Sequence, residues 1–235
     1  MATIFQINFD FTSSRQRAIL EFLQEHGYQL LGFKGARGPG QVTAGIPTWF
    51  SKPFSEQFGE VSIEYKPLYK VYAYRSTPIG PNTIIKMESA SAEVPLGTHV
   101  VFNQNGTFNA EPGGAPDGII TVSHNRPETS SVVTLGLAAE VEGQYRPFCA
   151  FMSTPQSTIS MEPNEKVCLF AARLNLQSGS VVGNAATPGA LFEFNASRLV
   201  FNLEMIRGSY GIQSSDSDDA VREVASGKNL LKLLG

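Results

Sequence analysis

The segment EVSIEYK, residues 60–66, puts Val61, Ile63 and Tyr65 on one side of an extended chain and Ser62, Glu64 and Lys66 on the other. A period of two with one apolar side is the mark of a half-buried strand. The same alternation runs through residues 3–11, TIFQINFDF. Further strand-length apolar segments are YKVYAYR (69–75), TIIKMES, THVVFN, GIITVSH, SVVTLGLAAEV, YRPFCAFM, KVCLFAARL, SGSVVG, ALFEF and LVFNLEMI. Turn sequences separate them: Asn103-Gln104-Asn105-Gly106, Glu142-Gly143 and residues 184–189. About ten to twelve short strands at this spacing predict a mainly β chain folded as an antiparallel β-sandwich.

Two helices complete the expectation. Thr12, Ser13 and Ser14 are N-cap candidates for RQRAILEFLQEH, whose Ile19, Leu20, Phe22 and Leu23 form an apolar stripe, and Gly27 supplies a stop. Strand character returns from Tyr28 to Phe33, and GARGPGQ (35–41) reads as a loop. At the other end, AVREVASGKNLLKLLG can form a short helix capped by Ser217 or Asp218 and weakened by Gly227. Residues 1–212 then form a single β-sandwich-like domain. Its candidate sub-boundary is the Gly/Pro-rich stretch FNAEPGGAPDG (108–118), and residues 213–235 are an acidic linker and the C-terminal helix.

Several function classes lose support at once. A net charge of −3 argues against general nucleic-acid binding. No run of 18 apolar residues exists, so no transmembrane helix is expected. The start MATIFQINFDF lacks a basic region and a continuous apolar core, so it does not read as a signal peptide. Asn105-Gly106-Thr107 and Asn195-Ala196-Ser197 therefore read as turns, and the cytoplasm as the compartment. Cys149 and Cys168 have apolar neighbours and read as reduced core residues.

Catalytic signatures are missing. His26, His99 and His124 share no metal-ligand spacing, and the chain has neither Cys-x-x-Cys nor G-x-S-x-G. The glycines of GARGPGQ are interrupted by Pro39 and followed by extended sequence, unlike a phosphate cradle. SDSDD lacks the glycine and distal carboxylate of a calcium loop. No metal and no cofactor is expected.

What remains is aromatic density. GIPTWFSKPFSEQF (45–58) holds the only tryptophan, Trp49, with Phe50, Lys52 and Phe54 close by. EYKPLYKVYAYR (64–75) interleaves tyrosines, among them Tyr72 and Tyr74, with Lys70 and Arg75. One reading makes these rings a lid on the core. The other makes them a recognition face that stacks on a sugar or inserts at a lipid interface.

WFSKPFSEQFGEVSIEY resembles the aromatic, Ser/Pro-containing headgroup-binding region of actinoporin-like β-sandwiches, a likeness that covers about 25 of the 235 residues and rests on a motif of low specificity. It implies a sandwich that meets a lipid headgroup through this run. In that family the mobile helix precedes the sandwich, whereas residues 13–26 here lie between two predicted strands.

The function expected is thus non-enzymatic recognition of a glycan or phospholipid headgroup, actinoporin- or lectin-like. Trp49, Phe50 and Phe54 would give apolar contact, Tyr72 and Tyr74 would stack, and Lys52, Lys70 and Arg75 would meet phosphate or hydroxyl groups. A self-associating structural or storage protein, a homo-oligomer, is the alternative, and an enzyme with a dispersed site the further one.

Overall fold

The computed structural model describes residues 3–75 and 78–235. Met1 and Ala2, which open the stretch read for a signal peptide, lie outside the described residues. In chain order the elements begin β1 (Phe5–Asp10), α1 (Ser14–Glu25), β2 (Gln29–Arg37), β3 (Ile46–Pro47), β4 (Phe50–Pro53) and β5 (Glu60–Tyr74). Next come β6 (Ser89–Ala90), β7 (Thr98–Phe102), β8 (Phe108–Pro112), β9 (Ile120–His124), β10 (Val133–Val141) and β11 (Gln144–Pro147). The last are β12 (Phe151–Ser153), β13 (Thr158–Ala172), β14 (Val181–Val182), β15 (Gly189–Glu193), β16 (Val200–Met205), β17 (Ile212–Ser214), β18 (Arg222–Val224) and α2 (Leu230–Leu234).

The strands build two large sheets, as expected of a sandwich. The first runs β11-β10-β5-β1-β16-β17, with β12 on β10 and β6 on β5. The second runs β18-β15-β13-β9-β7-β8, with β2 joining β13 to β4. Pairing is mostly antiparallel, but β1–β16 and β7–β9 are parallel. Pro67 does not end the strand. β5 continues for 15 residues and absorbs the irregularity as a register shift opposite Ala139 and Glu140.

The main core lies between the sheets. Ile7, Phe9, Ile63, Val71, Leu135 and Leu137 from the first meet Leu30, Val100, Val122, Val167, Leu169 and Phe192 from the second. Two further clusters cover outer faces. Leu31, Phe33, Cys168 and Phe170 on the second sheet are capped by Leu230 and Leu234 of α2. Tyr72 and Ala138 on the first sheet are covered by Val42, Ile85, Ala150 and Val181. This second covering explains why all nine residues of β10 are buried.

α1 forms where its stripe and cap require. Ser13 Oγ accepts the Gln16 backbone N–H at 3.2 Å, and Ile19, Leu20 and Leu23 are buried. The C-terminal segment departs from expectation. Residues 213–214, read as linker, belong to strand β17 on β16, and Arg222–Val224, read as helix, is strand β18 on β15. Only Leu230–Leu234 is helical, capped by Asn229 and not by Ser217 or Asp218. Gly227, at φ 81°, turns the chain left-handed where a longer helix would have had to continue. GARGPGQ and the 108–118 connection likewise lend residues to β2 and β8. No helix among the described residues is long and apolar enough to cross a membrane.

Candidate functional site

The rings expected to face a ligand are inside. Trp49 is fully buried, its indole N–H donates to the Ala139 carbonyl at 3.3 Å, and it meets Tyr65 edge-on at 4.9 Å. Phe50 packs over Gly32 and Phe54 meets the edge of Phe11, both buried. Tyr72 is buried on the opposite side of its sheet, and its hydroxyl donates to the Cys149 carbonyl at 2.8 Å. Tyr74 is half-buried in the same outer cluster.

The cations are spoken for as well. Lys52 pairs with Glu142, Arg75 with Glu88 at 3.6 Å, and Lys70 lies 4.3 Å from the Tyr145 ring centre. The expected aromatic face is therefore corrected to packing, divided between two clusters. Alternation on β5 suggested one wet face, but along Val71–Ala73 both faces are covered.

The most charged interior cluster also closes on itself. Lys34 Nζ donates to Glu165 Oε2 at 2.7 Å and to the Asn164 carbonyl. The Tyr65 hydroxyl donates to the same carboxylate oxygen at 2.7 Å, and Tyr69 to the other at 2.6 Å. Burial alone would raise the Glu165 carboxyl, but Lys34 and the two phenols more than offset it and hold it below its ordinary value. The ammonium, the carboxylate and both phenols are thus bonded to one another or to the Asn164 carbonyl, so the group braces the core. The two cysteines are buried and free, and burial pushes each thiol up to about 12, which makes them poor nucleophiles.

A usable surface lies on the outer face of the first sheet. A groove of about 520 Å³ runs across β5, β1 and β16, with Asn8, Asp10, Glu60, Ser62, Asn202 and Ser215 along it. Strand register assembles it: Asn8 stands beside Ser62 on one neighbour and Asn202 on the other, and Asp10 beside Glu60. The Asn8 amide N–H donates to Asn202 Oδ1 at 3.1 Å, leaving the Asn8 carbonyl open to a solvent-borne partner, while the Asn202 side chain also hydrogen-bonds the Asp216 carboxylate. Hydrogen bonds from Thr12, by side chain and backbone N–H, hold the Asp10 carboxyl below its usual range, so it stays an acceptor at neutral pH.

Phe58 enters here. It closes the aromatic stretch, is 70% exposed, and precedes Glu60 by two residues. The Gly59 carbonyl between them accepts the Phe11 N–H at 2.9 Å, which ties this ring's backbone to the end of β1. Among the described residues no group of three or more His, Cys, Asp or Glu side chains could hold a metal ion.

Reading the sequence missed this groove, although half its signal was visible. Ser62 and Glu64 were placed on the polar face of their strand, but nothing local says which polar faces become neighbours. Asn8 and Asn202 are 194 positions apart. Comparison with protein-family models, curated proteins and solved structures finds no match.

Proposed function

We propose that this protein is a non-catalytic glycan-recognition protein whose site is the groove across β5, β1 and β16. One observation carries the reading: paired Asn amides, an ionised Asp and two Ser hydroxyls in a groove of about 520 Å³, a size suited to small ligands. Sugar hydroxyls both donate and accept, and amides with carboxylates answer both roles. Phe58 adds an exposed apolar ring of the kind that packs on a pyranose face. The choice of a neutral sugar over a phospholipid headgroup rests on Asp10 and Glu60, which would repel a phosphate.

The test is binding to a panel of neutral oligosaccharides by calorimetry. Asn202→Ala, at an exposed position, should leave the melting temperature within a degree or so and weaken binding about tenfold, the equivalent of ~1.4 kcal/mol. Phe58→Ala should weaken it comparably. If no neutral glycan binds, or if the Asn8→Ala, Asn202→Ala double variant binds as the parent does, the reading is wrong.

A further inference from the structure

A second cavity has the opposite charge. It measures about 480 Å³ and lies between α1 and the loop joining β16 to β17, lined by Arg15, Ile19, Phe22, Arg207 and Tyr210 among others. The two arginines come from elements almost two hundred positions apart, and the fold alone brings them to one hollow. Both are exposed, and among the described residues neither lies within ion-pair distance of a carboxylate. The first turn of α1 carries no acidic side chain to neutralise them either.

The wall of this hollow is aromatic and fixed. Tyr210 stacks on Phe22 with ring centres 4.5 Å apart and planes 1° from parallel. Phe22 in turn stacks on His26 at 4.0 Å, and Tyr28 leans on Tyr210 at 5.8 Å. The loop holds Tyr210 in place through its N–H to the Ile206 carbonyl at 3.0 Å and the Ile206 N–H to the Gly211 carbonyl at 2.8 Å.

Two uncompensated guanidinium groups on a net-negative protein favour an anion, and their planar donor forks match the oxygens of a phosphate or sulfate. A rigid ring beside them favours an anion that carries a flat or apolar body. We infer that this cavity is a second binding site, for a phosphate or sulfate monoester of a ring-bearing molecule, held by Arg15 and Arg207 with its body against Tyr210. It is independent of the glycan groove, whose carboxylates select against the same charge.

Calorimetry on the full chain at low salt separates the contributions. Phenyl phosphate and phenyl sulfate should bind, phenol and inorganic phosphate at least tenfold more weakly, and affinity should fall as salt rises. Vesicles containing phosphatidic acid form a parallel arm: binding to them but not to phenyl phosphate would assign the anion to a lipid and overturn the small-molecule form of the inference. Arg15→Gln and Arg207→Gln should each weaken phenyl phosphate about tenfold without moving the melting temperature, and Asn202→Ala should leave it unchanged. If phenyl phosphate binds no better than phenol, or if the double arginine variant binds it as the parent does, the site does not exist. Neither result bears on glycan binding, which is measured separately.

Discussion

At the scale of single residues, Trp49 shows how the same side chain can be read as a ligand contact or as a keystone. Its ring sits among Phe50, Tyr65 and the backbone of Ala139, with no exposed surface. Trp49→Ala should cost about 3–5 kcal/mol, the usual loss for removing a buried large aromatic, measured by denaturant unfolding. A loss under about 1 kcal/mol would mean that the indole is not packed as described. Lys34 makes the complementary point, since a fully buried ammonium survives only because Glu165 and the Asn164 carbonyl face it. Neither residue announces its burial. A tryptophan or a lysine has the same side chain inside or outside, and only its neighbours decide.

Among the elements, the pairing of β5 with β10 carries the most information. Tyr72 stands opposite Gly136, and a Cβ built on that glycine would lie 2.6 Å from the tyrosine ring and 2.2 Å from the Cys149 carbonyl. The glycine is there so that a large ring can lie flat across the neighbouring strand while its hydroxyl reaches Cys149. Gly136→Ala should therefore destabilise by about 1–3 kcal/mol through overpacking, and Tyr72→Phe in that background should not restore it. Thermal melts of the single and double variants check this. From SVVTLGLAAEV a strand was legible; that both its faces are buried was not, because the covering residues Val42, Ile85 and Val181 lie far away in sequence. The helix was legible nearly to its ends, since its cap and its stripe are both local. The C-terminal segment was not, because β17 and β18 exist by pairing with β16 and β15 and have little strand pattern of their own.

For the molecule as a whole, acid should lower stability in two separate pH windows. Glu165 has a folded pKa below its ordinary 4.5, so its contribution is complete above that value and is lost as pH falls below it. His124 is buried, its Nε2 has no partner among the described residues, and burial lowers its pKa from 6.5. The folded state resists that proton more than the unfolded chain does, so stability also declines as pH drops below 6.5. Melting temperatures from pH 8 to pH 3 should fall in both windows, with His124→Gln flattening the upper one and Glu165→Gln the lower. A melting temperature constant between pH 7 and pH 5 in the parent would contradict the placement of His124.

The sequence by itself determined the mainly β class, the position of α1 and the polar–apolar sides of β1 and of the first half of β5, because these depend on residues a few positions apart. Tertiary structure decided which rings are wet, where the groove lies and where Arg15 meets Arg207. Those outcomes depend on which strands become neighbours, and a β-sheet makes neighbours of residues that the chain keeps far apart.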